Sequence, residues 1–210
     1  MMQSHFDRFR DWQSEGIGEK IFLREKQLVN DLLQSQKPHL IVQLEGRALL
    51  DHFPEEGFYY HVSEDVNISA PGYSIEAEQG FLPFPDQSVD CLLLAHSLEL
   101  YMAHTQLFLE MDRVLSPKGS IFIMVLVNKW LKDTFPKKFH PLGKLNIAPQ
   151  SIRRVKKRLH AGGMEIVNSH SLIAENRIIA DRIQEQMLYP LALEVKKLTP
   201  GWQGTVGVIK

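Results

Sequence analysis

Seven consecutive apolar residues, Ile121-Phe122-Ile123-Met124-Val125-Leu126-Val127, constrain this chain more than any other feature. A strand with one wet face alternates apolar and polar residues, whereas an unbroken run of this kind reads as a strand covered on both faces. Ser120 to Val127 is therefore expected to be a central strand. A second apolar run, Asp90 to Ala95, precedes it. Between them, Ala103 to Leu115 places Leu107, Phe108, Met111, Val114 and Leu115 on one helical face. Strand, helix and strand in that order build a parallel sheet.

The flanking sequence continues the alternation. The first dozen residues, with Phe6, Phe9 and Trp12, read as a short amphipathic lead-in, and Glu19 to Gln34 reads as a helix that Lys37-Pro38 ends. His39 to Leu44 is a buried first strand, Arg47 to Phe53 a brief helix, and Phe58 to Val62 a second strand. Glu64 to Gly72 is short for a parallel crossover, so an irregular connection is expected before a third strand at Tyr73 to Ala77. Pro149 suits the first turn of a helix running through Ile152, Val155 and Leu159 to Gly162-Gly163. Met164 to Ser169 then reads as a sixth strand, Ala174 to Met187 as a helix and Thr205 to Ile209 as a last strand. The expectation is one α/β domain over residues 1–210, a doubly wound, mostly parallel sheet with a helical extension at 1–36.

Composition narrows the class. A chain of 210 residues that is 44% hydrophobic and 23% charged can bury a core and does not read as disordered. The single cysteine, Cys91, excludes an intrachain disulfide and fits a reducing compartment. No run reaches bilayer-spanning length and the N-terminus lacks the apolar core of a secretory signal, so a soluble, cytoplasmic protein is expected. The nine histidines and Cys91 make no His-Glu-x-x-His or Cys-x-x-Cys spacing, which gives no basis for a metal site. Cys91 at the start of a buried strand reads as an inert thiol.

The net charge of −1 hides an uneven distribution. Lys129 to Arg158 holds ten Lys and Arg residues and one acid, Asp133; this segment is +9 and the remainder −10. Within it, Lys129 to Ala148 reads as a loop or lid, with Trp130, Phe135 and Phe139 beside its lysines. A solvated surface is the ordinary reading of the basic helix that follows. The sharper one is an anionic partner such as a phosphorylated metabolite, nucleic acid or an acidic lipid surface.

In open α/β sheets, ligands bind beyond the carboxyl ends of the strands. That edge carries Gln43 to Arg47, Val62 to Asp65, Glu76 to Phe81, His96 to Glu99 and the segment after Val127. Here lies the most specific motif, Leu82-Pro83-Phe84-Pro85-Asp86-Gln87-Ser88-Val89-Asp90, which leads through Cys91-Leu92-Leu93-Leu94-Ala95 to His96-Ser97-Leu98-Glu99. Downstream, Val114-Leu115-Ser116-Pro117-Lys118-Gly119 precedes the central strand. These segments, with Gln43-Leu44, resemble the type-11 group of class I S-adenosylmethionine (SAM) dependent methyltransferases. The resemblance covers most of residues 12–170 in order and spacing, and 203–209 as a final strand.

The resemblance implies a seven-stranded Rossmann-like sheet and a SAM pocket. It places cofactor contacts on Gln43, Leu44 and Gly46 in the first loop, on Glu64 or Asp65 at the ribose, and on Glu78 near the adenine amino group. Phe81 and Leu82 would pack on the ring. The family's acidic position falls on Gln43 and its loop glycines on Glu45, Arg47 and Leu49; Gly46 remains, offset by one. Arg47 could pair with the carboxylate of SAM or with Glu45. His96, at the end of the fourth strand where methyl donor and acceptor would meet, is a candidate cofactor contact and the candidate catalytic base, set against an ordinary hydrogen-bonded histidine. Tyr73, Tyr101 and Trp130 could line an acceptor pocket under the 129–148 segment. Three functions follow: methyl transfer from SAM to an unidentified acceptor, an anionic one among the candidates; a catalytically inactive relative acting as a scaffold through its basic 129–158 face; or a nucleic-acid-binding protein that uses this fold.

Overall fold

The computed structural model describes residues 5–51, 56–64, 72–78, 80–100, 104–127, 150–172 and 189–198. Seven strands form one sheet: β1 Leu40–Leu44, β2 Phe58–Ser63, β3 Tyr73–Glu76, β4 Val89–Ala95, β5 Leu115–Val127, β6 Met164–Ser171 and β7 Tyr189–Lys197. Their spatial order is β3-β2-β1-β4-β5-β7-β6, with β7 antiparallel to β5 and β6 and the other neighbours parallel. Strand order reverses between β1 and β4, where Gln43 and Leu44 pair with Leu93 and Leu94. In open α/β sheets the carboxyl ends of the strands at such a reversal are where a ligand crevice lies.

The apolar runs settle where the core lies. From Ser120 to Val127 every residue of β5 is buried, as are Cys91 to Ala95 of β4. On one face α4 (His104–Val114) and α5 (Ile152–Ala161) bring Leu107, Phe108, Met111, Val155 and Leu159 onto Val42, Leu92, Ile121 and Ile123. On the other, α2 (Gly16–Gln36) packs Phe22, Val29 and Leu33 against Ile41, Tyr59, Leu93 and Phe122. α1 (His5–Trp12) folds back on α2, and its Phe9 clusters with Ile21 and Leu126. The turn between them is tight: a Cβ on Gly18 would lie 2.1 Å from the Trp12 carbonyl oxygen.

Several expectations are corrected. The brief helix over Arg47 to Phe53 does not form in its described part, 47–51, because a buried side chain captures the backbone groups that an i→i−4 ladder would use. β5 begins at Leu115, so the Val114 to Gly119 turn is an irregularity within the strand, where pairing jumps from Val89↔Leu115 to Cys91↔Ser120. A strand at Tyr189–Lys197, unassigned above, fills the gap between β5 and β6. The Ala174 to Met187 helix, the Thr205 to Ile209 strand and the Lys129 to Ala148 segment lie outside the described residues, as does the loop 65–71.

The Gly18 contact yields a first expectation. Gly18→Ala forces the Cβ into the Trp12 backbone, and overpacking of this kind costs about 1–3 kcal/mol. A lower urea midpoint at unchanged slope is expected; an unchanged midpoint would mean that α1 does not press on α2.

Candidate functional site

At the carboxyl edge of β1, Gln43 organises the loop that follows. Its carboxamide is buried; Oε1 accepts from the Leu49 N–H (2.9 Å) and the Tyr59 hydroxyl (2.7 Å), while Nε2 donates to the carbonyls of Glu45 and Arg47 (both 2.8 Å). Glu45 and Gly46 are then left-handed, at φ 56° and 71°. Gly46 is needed here on two counts: its backbone is positive in φ, and a Cβ would lie 2.8 Å from that of Ala95 on β4. A carboxylate at position 43 accepts but cannot donate, so the glutamine is what lets both loop carbonyls be bonded.

Glu45 is 1% exposed. Its carboxylate spans to the end of β2, where Oε2 accepts from the Ser63 hydroxyl (3.0 Å) and Oε1 from the Glu64 N–H (2.9 Å). Burial pushes its pKa up to about 7 despite those bonds. Beside it, the His61 ring contacts the Gly46 carbonyl through Nε2 at 3.2 Å, and burial pushes that imidazole down to about 4. Among the described residues Arg47 forms no ion pair, so it does not pair with Glu45. Its guanidinium lies 3.9 Å from the centre of the Phe22 ring and donates to the Gln13 carbonyl at 2.5 Å, so the N-terminal hairpin takes this charge.

His96 ends β4 in a left-handed conformation, φ 62°, and is fully buried. Its Nε2 is 3.0 Å from Glu25 Oε1 of α2 and its Nδ1 3.1 Å from Glu99 Oε1 of α3 (Ser97–Leu100). The Phe9 ring packs on it at 4.7 Å. Burial opposes the charge, yet the two carboxylates outweigh it and hold the imidazole's pKa up at about 10. A histidine held in that state is a charged tie between α2 and β4, with neither ring nitrogen free to accept a proton at neutral pH. Glu25 and Ser63, the partners of His96 and Glu45, were not singled out in the sequence.

The β2–β3 side is more open. Glu64 and Glu78 are both exposed, and Glu64 is raised in pKa by partial burial and by the nearby Glu78 charge. The Phe81 ring is 67% exposed and its N–H donates to the Glu78 carbonyl (2.9 Å). Leu82 is buried, with its N–H on Glu110 Oε2 at 2.8 Å. Arg113 of α4 explains the Leu82 to Asp86 turn: its guanidinium bonds the carbonyls of Leu82 and Phe84, Asp86 and Glu110, each at 2.7–2.9 Å. Tyr73 is exposed on β3, stacked on Tyr60 at 5.1 Å. Cys91 is buried, and burial raises its thiol pKa. Among the described residues, no cluster of three or more His, Cys, Asp or Glu side chains could hold a metal ion.

Two measurements check these charges. Deleting the imidazole in His96→Leu strands Glu25 and Glu99 without their cation, which costs about 3–5 kcal/mol. Because the folded pKa lies above the unfolded one, the stabilisation from His96 is full below about pH 6.5 and is lost as pH rises through about 10. Melting temperatures of the wild type should therefore fall toward pH 10 more steeply than those of the variant. For Glu45, the folded protein binds a proton that the unfolded chain releases between about pH 4.5 and 7, so its contribution to stability declines across that window. Glu45→Gln should gain on the wild type as pH rises from 4.5 to 7, by up to on the order of 3 kcal/mol. A pH-independent difference in chemical denaturation would disprove the assignment.

The described helices include none long and apolar enough to cross a membrane. A family model described as "Methyltransferase domain" matches residues 62–123. An uncharacterized protein of Escherichia coli strain K12, YafS, is 44% identical over 64 residues, which is 30% of this chain and 27% of that protein. Thus the match spans about a quarter of that relative's length. Among solved structures, a geranyl diphosphate methyltransferase in complex with SAM superposes with a TM-score of 0.62 at 10% identity, over 82% of this chain and 85% of that one. The geranyl diphosphate C-methyltransferase of Streptomyces coelicolor A3(2) gives 0.60 at 10% identity, covering 81% and 80%. The [4+2]-cyclase SpnF gives 0.58 at 14% identity, covering 83% and 82%. The chain thus has the fold of the class I SAM-dependent methyltransferases, and over residues 62–123 it matches their methyltransferase-domain family.

Proposed function

We propose that this protein is a SAM-dependent methyltransferase whose cofactor lies across the carboxyl ends of β2, β1 and β4. The observation that carries this reading is the pair of exposed carboxylates, Glu64 and Glu78, at the ends of adjacent strands beside the reversal of strand order. Glu64 would take the ribose hydroxyls and Glu78 the adenine amino group, with Phe81 and Leu82 against the ring. Gln43 and Leu44 set the loop, and Gly46 brings its backbone close to β4. When bound, SAM would supply an electrophilic methyl group to an acceptor oxygen, nitrogen or carbon. This chain's part is alignment, which direct displacement needs more than a base. His96 would act as a positioning residue, holding the N-terminal helices at the edge of the crevice.

A second reading has its own observation. Glu45 ties the loop to Ser63 and the Glu64 N–H where the family carries glycine, and a carboxylate here repels that of the cofactor. The same fold would then serve as a scaffold without SAM. A fold shared with a cyclase does not decide between them.

Calorimetry with S-adenosylhomocysteine separates the two. The methyltransferase reading expects micromolar binding, about tenfold weaker in Glu78→Ala through loss of a charge-assisted hydrogen bond. It also expects tighter binding in Glu45→Gly. Absence of heat at millimolar ligand in the wild type rejects it; binding gained only in Glu45→Gly would show a scaffold that lost the cofactor through this residue.

A further inference from the structure

We propose that α5 is a docking surface for the phosphate backbone of a nucleic acid strand, running outward from the edge of the crevice. This inference does not depend on SAM binding. In ten residues the helix carries Arg153, Arg154, Lys156, Lys157, Arg158 and His160 and no acid. Arg153, Arg154, Lys156 and Lys157 are exposed and form no ion pair or hydrogen bond among the described residues. Arg158 is half-buried and reaches Gln150 Oε1 at 3.5 Å.

Such a helix works against its own stability. Arg153 faces Lys156 and Lys157, and Arg154 faces Lys157 and Arg158, at the i, i+3 and i, i+4 spacings where like charges repel. Two arginines also sit in the first turn, at the positive end of the helix dipole, where acids are favoured. No partner on the helix relieves this, and a line of phosphates would.

The class of anion follows from shape. A helix that binds lipid buries its apolar face in the bilayer. Here that face is already spent, with Val155 and Leu159 fully buried and Ile152 packed on the core. A small phosphorylated metabolite needs convergent donors in a concavity, whereas these cations spread over the convex side of a helix about 15 Å long. An extended polyanion matches that display. The helix has no Phe, Tyr or Trp on which a base could stack, so contact with the backbone and indifference to sequence are expected.

Its placement ties the surface to the crevice. Gln150 donates its N–H to the Leu126 carbonyl at 2.7 Å and bridges to Val127, so the cationic run starts at the carboxyl end of β5. A strand lying along α5 is thereby led toward the same edge of the sheet that carries His96 and Gly46.

The test uses fluorescence anisotropy of the full-length protein with labelled single-stranded RNA and DNA of about 20 nucleotides, across a salt series. Four phosphate contacts to a single strand predict affinity falling about 50-fold between about 50 and 200 mM salt. The variant Arg153→Gln, Arg154→Gln, Lys156→Gln, Lys157→Gln removes like-charge repulsion, so it should melt no lower than the wild type and yet lose that binding. Salt-insensitive or absent binding by the wild type overturns the proposal, as does undiminished binding by the variant. Binding to vesicles rich in phosphatidylserine, with none to either oligonucleotide, would overturn it in favour of a membrane contact.

Discussion

The carboxamide of Gln43 is the interaction on which the rest of the crevice depends. Its two acceptor and two donor positions are all used, inside the protein, on four groups from two elements. A buried amide satisfied in this way is worth more than its net hydrogen-bond energy, because removing it leaves several backbone groups without partners. It turns the loop after β1 away from helix, sets Glu45 and Gly46 in left-handed geometry and presses the Gly46 backbone against Ala95. Glu45, Ser63 and the Glu64 N–H fall into register only once that loop is in place.

Charge is distributed unevenly around the crevice. Its floor holds an imidazolium between two carboxylates, where the desolvation cost is met by two close partners. Its rim at β2 and β3 carries exposed acids, and the helix beyond β5 carries exposed cations that form no ion pair among the described residues. A ligand with a cationic or neutral nucleoside end and an anionic end elsewhere would meet favourable potential along that line.

The strands that rest on unbroken apolar runs were legible in the sequence, because burial on both faces leaves no polar alternation: β1, β4 and most of β5. β7 was not. Pro190 argues against a strand and Leu191-Ala192-Leu193-Glu194 favours helix, yet pairing with β5 and β6 decides the matter. Pro190 sits beyond the last β6 partner, where its missing N–H is not required. At the site, His96 could be placed at a strand end from sequence alone. Its ties could not, since Glu25 lies 71 residues away on a helix whose face toward the crevice has no sequence signature. Glu45 likewise read as a charge near a ligand, because nothing local shows that Ser63 and the Glu64 amide receive it.

The N-terminal hairpin also determines how the crevice can be entered. Phe9, Glu25, Gln13 and Phe22 hold His96 and Arg47 from above, and α2 shares its apolar face with the sheet. Lifting that roof would expose a buried ion cluster and part of the core together, a motion costed near global unfolding rather than near loop breathing. Among the described residues, the open flank is the β2–β3 side, with its exposed carboxylates and the Phe81 ring.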